Sequence, residues 1–413
     1  MINSEELVTL CAGDSELLLA ARYWTGGLRI GIGDASVEIV FDDGRPIPGP
    51  IRGEDGVVEL SAPPSVWERI LAVEPPRFYN DIAPAQGVGL RRRGGDVVYW
   101  QYYPAVARVI ELLRAASPVQ LTETRHPQTF DCPVGRYFNL DLDGHLYRIY
   151  MEEAGSGIPL LLHHTAGSSS LQWRHLFEEP SITDHFRLIA FDLPFHGKSL
   201  PPTTQKWWSE EYKLTRDQVL ALPRALATAL GLDRPVFMGC SVGGQVALDL
   251  ARYHPGEFRA VVSLEPALKL EVNPKSLPGL WHPQVNNEMK ARMMLGLTSP
   301  TAPEAYRRET TFAYSAAWPP AFLGDLNYYF YDHDLTDGAA AIDTSATAVH
   351  LLVGEYDWSA SIEHAQAVHR AVPGSTLAVM EGLGHFPMCE DPKRFLTYLL
   401  PVLEQIQSAA GTS

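Results

Sequence analysis

The chain has 413 residues, 46% hydrophobic and 20% charged, which is enough length for two or three domains and for a sizeable buried core. Its formal net charge of −16 repels phosphate backbones and anionic lipid, so we expect no nucleic-acid partner and no membrane surface as partner. Its 4 cysteines show no paired spacing, the first residues are acidic, and no apolar run approaches the ~18 residues of a membrane span. Together these features predict a soluble protein of a reducing cytoplasm.

Residues 1–118 predict a small α+β domain, because short strand-like runs separated by turns are interleaved with two helical stretches. The predicted strands are Leu28–Ile32, Ser36–Phe41, Gly56–Ser61 and Val88–Arg92, and the predicted helices are Ser65–Ala72 and Pro104–Ala115. Residues 119–135 contain Pro127 and Pro133 among many polar side chains, which predicts a linker.

Residues 136–413 predict an α/β domain, because a hairpin is followed by short β-branched or Leu-rich runs that alternate with longer helical patterns. The strands predicted after the hairpin are Ile158–His163, Leu188–Asp192, Val236–Met238, Ala260–Leu264, His350–Gly354 and Thr376–Met380. Such alternation is typical of βαβ units and a mostly parallel sheet. Residues 268–345 separate two of these strands by too long an interval for a plain loop, which predicts a helical cap inserted over the sheet's C-terminal edge.

The run Gly239-Cys240-Ser241-Val242-Gly243 lies directly between a predicted strand and a predicted helix. A serine in that place must occupy a sharp, strained turn, and glycines flank it because side chains there would collide with the neighbouring backbone. The turn exposes the hydroxyl, and the helix N-terminus presents N–H groups to a developing oxyanion. Ser241 is therefore the candidate nucleophile, whereas Cys240 is predicted to be a small buried thiol.

A serine hydroxyl is a weak nucleophile that needs a base oriented by an acid. Asp357 and His385 follow the last two predicted strands, so both lie at the edge where open parallel sheets carry their sites. We predict His385 as the base and Asp357 as the acid. Glu265 ends the strand after Ser241 and is the alternative acid.

These motifs, in this order, resemble the α/β-hydrolase superfamily over about residues 126–413. The run 163–170 is similar to the family's His-Gly oxyanion loop, and the run 192–199 resembles its Asp-x-x-Gly-x-Gly-x-Ser loop, with Phe195 at the first glycine. The resemblance implies that the N–H groups of Val242 and Thr165 form the oxyanion hole. His164 stands where the family usually carries glycine, so its side chain either crowds the loop or contacts substrate.

The predicted cap is rich in aromatic residues, which suits a bulky apolar or aromatic substrate. The candidate pocket residues are His164, Trp318, Tyr328 and Tyr329. The adjacent His163 and His164 diverge in an extended segment, and no phosphate-binding glycine motif is present, so we predict neither a metal nor a cofactor.

The resemblance implies a serine hydrolase of a carboxylic ester or lactone. The alternatives left open are hydrolysis of a carbon–carbon bond in a β-diketone or ring-cleavage product, and a lipid- or ligand-binding protein on a hydrolase scaffold. Residues 1–118 faintly resemble a sterol-carrier-protein-like domain, for which we predict a role in homo-oligomer formation or in covering the catalytic domain.

Overall fold

A computed structural model describes residues 3–114, 130–142, 144–272, 274 and 277–410. These residues form two compact units, one within 1–121 and 275–301 and the other within 122–274 and 302–413. Residues 119–129 of the predicted linker lie outside the described part of the chain. Within the described part, each helix is too short or too polar to cross a membrane.

The first unit is an α+β arrangement around a mixed sheet. Its elements up to residue 114 are α1 (Ser4–Ala12), α2 (Ser15–Ala20), β1 (Gly26–Ile32), β2 (Ala35–Asp42), β3 (Arg45–Ile47), β4 (Val57–Ala62), α3 (Pro64–Ile70), α4 (Ile82–Ala85), β5 (Arg91–Gly94) and α5 (Asp96–Leu113). The strand order is β3-β2-β1-β4-β5, with β1 antiparallel to β2 and parallel to β4. The strand predicted at Val88–Arg92 starts later, because residues 86–88 form a 3₁₀ turn that ends at Gly89 with φ +115°.

The second unit contains a larger sheet, which confirms the predicted mostly parallel α/β architecture. Its described strands are β6 (Val134–Leu142), β7 (His145–Ala154), β8 (Ile158–His163), β9 (Phe186–Phe191), β10 (Val236–Cys240), β11 (Ala260–Leu264), β12 (Ala348–Gly354) and β13 (Thr376–Met380). The order is β13-β12-β11-β10-β8-β9-β7-β6, and only the pairs that involve β7 are antiparallel among these strands. Because β9 and β10 lie on opposite sides of β8, the winding reverses there and brings the carboxyl ends of β8 and β10 together.

Helices follow these strands as the sequence predicts. Those before residue 260 are α6 (Arg174–Phe177), α7 (Pro180–Thr183), α8 (Arg216–Ala229) and α9 (Val242–Tyr253). The later ones are α10 (Asn287–Leu297), α11 (Glu304–Ser315), α12 (Pro319–Asn327), α13 (Ile362–Ala371), α14 (Pro387–Glu390) and α15 (Pro392–Ala410). A single π-helical turn, Tyr328–Asp332, directly follows α12.

The helix α10 belongs to the first unit, although the sequence predicts it as part of the cap 268–345. Its buried Arg292 binds Asp81 at 3.2 Å and Glu111 at 2.6 Å, and the Asn80 amide donates to the carbonyl of Gly296. A buried guanidinium requires carboxylate partners, and these partners come from the N-terminal part of the chain. Of the predicted cap, residues 268–274 and 302–345 remain with the second unit, and residues 302–345 are named here the insertion segment.

Candidate active site

Ser241 lies at the turn between β10 and α9, as predicted. Its backbone has φ 60° and ψ −114°, a conformation that side chains rarely adopt, and its N–H donates to the carbonyl of Leu264 at 3.0 Å. A Cβ on Gly243 would lie 2.8 Å from the carbonyl oxygen of His163, and one on Gly244 would collide with the carbonyl of Leu264. The glycines therefore let β8, β10 and β11 approach the turn closely, which holds the strained serine in place.

His385 and Asp357 meet across the ends of β12 and β13. The Nδ1 of His385 lies 2.7 Å from Oδ2 of Asp357, and both side chains are buried. The other carboxylate oxygen of Asp357 accepts the N–H groups of Ser359 at 2.7 Å and Ala360 at 3.3 Å. This geometry favours Asp357 over Glu265 as the partner of His385.

Glu265, the alternative acid, binds elsewhere. Both of its carboxyl oxygens lie 3.0 Å from the amide nitrogen of Gly354, and its side chain also hydrogen-bonds Asp357. Burial and the charge of Asp357 raise the pKa of Glu265 well above its usual range. Glu265 is therefore a neighbour of the His385–Asp357 pair rather than the direct partner of the imidazole.

The loop that carries His385 is held by Glu390, a residue that the sequence did not single out. This buried carboxylate accepts the N–H of Gly384 and, at 3.4 Å, the N–H of Phe386, which are the amides on either side of His385. It lies five residues after His385 in the short helix α14, a spacing that could have indicated the contact. Carboxylate-to-amide hydrogen bonds of this kind are charge-assisted and restrict the loop.

The two amides implied as oxyanion donors differ in the structure. Val242 is the first residue of α9, so the helix offers no carbonyl to its N–H. The N–H of Thr165 donates to Oε1 of the buried Gln172 at 3.0 Å, and the Thr165 hydroxyl hydrogen-bonds Tyr314. The Thr165 amide is therefore occupied within the protein, and Gln172, which sequence reasoning missed, is its acceptor.

His164 is buried, and both of its ring nitrogens have partners within the protein. Its Nδ1 bonds the carbonyl of Thr165 at 2.8 Å, and its Nε2 accepts the N–H of Leu193 at 3.1 Å. Burial lowers the pKa of His164 well below its usual range and that of His163 to about 4, so both rings are neutral near pH 7. Both ring nitrogens of His164 therefore bind the protein, and its place in the substrate pocket stays a prediction.

A buried carboxylate of the insertion segment, Asp325, joins two of the loops beside the site. Its Oδ2 accepts the N–H of Gly167 at 2.7 Å and lies 2.8 Å from Nε2 of His196, while its Oδ1 accepts the hydroxyl of Tyr212 at 3.0 Å. Burial opposes a charged His196, but the charge and hydrogen bond of Asp325 outweigh it and raise the His196 pKa. Asp325 was not predicted, because nothing in its local sequence indicates partners more than one hundred residues away.

Two neighbouring tyrosines of the π-helical turn, both predicted for the pocket, have different surroundings. Tyr329 is buried with its hydroxyl 3.2 Å from Oγ of Ser359 and within hydrogen-bonding reach of the Ser241 side chain. The hydroxyl of Tyr328 instead donates to the buried Asp249 of α9 at 2.8 Å. The structure therefore places the hydroxyl of Tyr329 near Ser241 and that of Tyr328 on Asp249.

Trp318, predicted for the pocket, lies in an aromatic cluster. Its ring stacks on Phe195 with centroids 5.3 Å apart, and Trp207 and Tyr212 complete the cluster. Phe195 has φ +72°, so it retains the left-handed backbone of the glycine that it replaces in the loop motif. Phe195, Trp207 and Tyr212 line a cavity of about 390 Å³.

Cys240 is buried as predicted, and its thiol donates to the carbonyl of His385 at 3.1 Å. Burial and the nearby Glu265 and Asp357 raise the pKa of the Cys240 thiol well above its usual range. A thiol held in its neutral form is a poor nucleophile. The hydroxyl of Ser241 is therefore the better candidate at this turn.

Comparisons with known proteins agree with this architecture. The chain is 26% identical over 286 residues to Rv2715 of Mycobacterium tuberculosis, described as uncharacterized, which covers 61% of this chain and 77% of that protein. It is 23% identical over 271 residues to the 2-hydroxy-6-oxo-6-(2'-aminophenyl)hexa-2,4-dienoic acid hydrolase of Metapseudomonas resinovorans, covering 61% and 86%. An esterase structure from Thermogutta terrifontis aligns with a TM-score of 0.56 at 21% identity, covering 66% of this chain and 99% of that one.

Residues 158–392 match the family model described as alpha/beta hydrolase fold. The match begins after the N-terminal domain, so the sterol-carrier-like resemblance and the self-association of residues 1–118 stay predictions. The matched range contains Ser241, Asp357 and His385 and exceeds half of the chain. The chain belongs to the alpha/beta hydrolase fold family.

Proposed function

We propose that the chain is a serine hydrolase that cleaves a carboxylic ester or lactone of a bulky apolar or aromatic small molecule. Ser241 attacks the carbonyl carbon while His385 takes the hydroxyl proton, and Asp357 orients the imidazole. The imidazolium then returns the proton to the leaving alcohol, and an acyl-enzyme on Ser241 remains. Water, activated by His385, releases the acid and restores the serine.

The observation that carries the proposal is the strained backbone of Ser241 in the same site as the His385–Asp357 pair. A φ of 60° in a non-glycine residue costs on the order of 1–3 kcal/mol, which a merely structural turn has no need to store. The 2.7 Å contact between Asp357 and Nδ1 of His385 leaves Nε2 as the nitrogen that can accept a proton. These two features are what nucleophilic catalysis by serine requires.

The oxyanion is stabilised mainly at the N-terminus of α9. The N–H of Val242 supplies one donor, and the helix dipole adds positive potential there. For Thr165 to supply the second donor, as the family resemblance implies, its N–H must leave Gln172 or be shared with it. The hydroxyl of Tyr329 is a further donor within reach of Ser241.

The substrate class follows from the insertion segment. Its Tyr314 and Phe386 of the His385 loop have ring centroids 5.7 Å apart, and Tyr314 also contacts Phe322. With Tyr329, these rings give the surroundings of Ser241 an apolar, aromatic character. An acyl or alcohol group that is apolar and bulky fits such surroundings better than a charged one.

Hydrolysis of a carbon–carbon bond is the second candidate. One relative is named as a hydrolase of a 2-hydroxy-6-oxo-dienoic acid, a compound that carries a ketone and an enol rather than an ester. The same three side chains could serve that reaction. A ligand-binding protein on this scaffold, the alternative of another class, would leave the strained serine and its paired histidine without a use.

The deciding experiment is a panel of aryl and alkyl esters, lactones and β-diketones assayed with the full-length protein, with product analysis. Ser241→Ala and His385→Ala should each reduce turnover by about 10⁴-fold or more, and the double variant should lose little extra, because the residues act as a unit. Thr310→Val is a folding control, because it removes a buried hydroxyl that lies 2.9 Å from the carbonyl oxygen of Tyr306 and 3.2 Å from Sγ of Cys389. Turnover that survives Ser241→Ala would contradict the proposal, and cleavage of diketones alone would favour the second candidate.

A further inference from the structure

Two buried carboxyl groups lie side by side behind the imidazole of His385. Glu265 directly follows β11 and Asp357 follows β12, and these strands pair in parallel with Leu264 opposite Leu352. Both side chains are fully buried, and they hydrogen-bond each other. Two carboxylates so close in a low-dielectric site cannot both be ionised, so this pair must hold a proton.

The hydrogen bonds indicate which carboxyl carries that proton. Asp357 accepts N–H groups from His385 at 2.7 Å, Ser359 at 2.7 Å and Ala360 at 3.3 Å, and each of these favours its charged form. Glu265 accepts only the amide of Gly354 among the described donors, at 3.0 Å from each oxygen. The charge therefore belongs on Asp357, and the proton belongs on Glu265.

The other groups around Glu265 reinforce this assignment. Glu390 of α14 adds a second negative charge, and the Cys240 thiol at the end of β10 is neutral because it is buried. Burial is the largest cause that raises the pKa of Glu265, and Asp357 is the next. Glu265 also has φ +59°, an uncommon backbone that aims its side chain from β11 toward the turn after β12.

We propose that Glu265 is a positioning residue, a neutral carboxylic acid whose O–H donates to Asp357 and fixes the carboxylate that orients His385. With this donor, Asp357 has hydrogen bonds from both sides and cannot rotate away from the imidazole. The added donor also stabilises the charge of Asp357 when His385 becomes an imidazolium. The inference rests on the proposed hydrolytic function only in that last step.

Two variants separate a neutral donor from an ionised acid. Glu265→Gln keeps the shape of the side chain and an N–H donor for Asp357, so it should retain activity within about 3-fold of wild type. Glu265→Met removes the donor at similar volume and should lower kcat/KM by about 10- to 100-fold, as expected for one hydrogen bond to a charged group. Its pH profile should also shift, because the charge that stabilises the imidazolium is less well held.

If Glu265 were ionised and acted as the orienting acid, Glu265→Gln would instead lose as much activity as Asp357→Asn. Equal and full activity in Glu265→Gln and Glu265→Met would show that no donor is needed, which also overturns the proposal. Chemical denaturation of each variant keeps a folding defect distinct from a catalytic one.

Infrared difference spectroscopy tests the protonation state without any substrate. The spectrum of the wild type minus that of Glu265→Gln near neutral pH should contain the C=O stretch of a protonated carboxylic acid. A difference spectrum with carboxylate bands in its place would overturn the proposal. This measurement does not depend on turnover. The infrared result therefore tests the protonation of Glu265 even if the Ser241→Ala assay contradicts the hydrolase proposal.

Discussion

Two buried histidine–aspartate pairs of the second unit have nearly the same contact distance and different surroundings. His385 binds Asp357 at 2.7 Å at the end of the sheet, and His196 binds Asp325 at 2.8 Å at the insertion segment. In the second pair the other ring nitrogen of His196 also binds the protein, at the carbonyl of Pro194. In the first pair, the hydrogen bond that the ring of His385 makes to the described residues is at Nδ1, with Asp357.

The difference teaches that a histidine–aspartate pair is not catalytic by itself. Asp325 also accepts hydrogen bonds from Gly167 and Tyr212, so this pair joins loops. Neither ring nitrogen of His196 is left to accept a proton from a substrate. Asp357 accepts hydrogen bonds from the N–H groups of Ser359 and Ala360, which fix its carboxylate next to Nδ1 of His385. The Nε2 of His385 is then the nitrogen that can accept a proton. The function of each pair is decided by what surrounds it.

The largest expected effect is the loss of activity on substituting Asp357, which Asp325 should not share. Asp357→Asn should reduce kcat/KM by about 10⁴-fold with little loss of stability, because it removes the charge that orients and stabilises the imidazolium. The measurement is steady-state turnover beside chemical denaturation. Activity within about 10-fold of wild type would mean that another group orients His385.

Asp325→Asn should act mainly on stability. It removes the charge that holds a buried His196, so the unfolding free energy should fall by about 3 kcal/mol, while the folded fraction keeps most of its kcat. Denaturant titration and active-site labelling with a serine-reactive phosphonate measure the two quantities separately. A pure loss of kcat at unchanged stability would place Asp325 in the catalytic machinery and erase the contrast between the pairs.

Tyr328 and Tyr329 are adjacent and allow a similar comparison between a residue near Ser241 and one that binds elsewhere. Tyr329→Phe should lower kcat by about 10-fold, since one hydrogen bond near the reacting oxygen is lost. The matched control Tyr328→Phe loses its bond to Asp249 and should lower the thermal midpoint while kcat stays within about 2-fold. Equal kinetic losses in both variants would mean that the turn as a whole, rather than the Tyr329 hydroxyl, matters.

The last expected effect is a gradual one, a pH dependence of stability. The pKa of Glu265 is raised in the folded protein above its ordinary value near 4.5, so the native state keeps a proton that the unfolded chain releases above that pH. The stabilisation from that proton is complete below pH 4.5 and is lost as pH rises toward the folded pKa. Relative to wild type, Glu265→Gln should therefore gain stability as the pH rises above 4.5, by at most about 1.4 kcal/mol per pH unit.

Denaturation of both proteins across this range is the measurement. A difference in unfolding free energy that does not change with pH would mean that Glu265 releases its proton in the folded protein as readily as in the unfolded chain.

Much of the site could be predicted because its signals are local. The turn at Ser241 needs glycines within two or three residues, and Asp357 and His385 each lie within five residues of the end of a short strand. Parallel strands end at one edge of a sheet, so residues that follow them must converge there. The sequence by itself therefore determined the sheet, the turn that carries Ser241 and the acid and base candidates.

What only the tertiary structure decided is the choice among partners that are far apart in the chain. The pairing of His385 with Asp357 rather than Glu265, the capture of the Thr165 amide by Gln172 and the reach of Asp325 to Gly167 are through-space contacts. The assignment of α10 to the first unit through Arg292 is of the same kind. Backbone sterics act over a few residues and therefore select residue types that can be recognised in the sequence. A buried charge or amide, in contrast, meets its partner only when distant segments pack together.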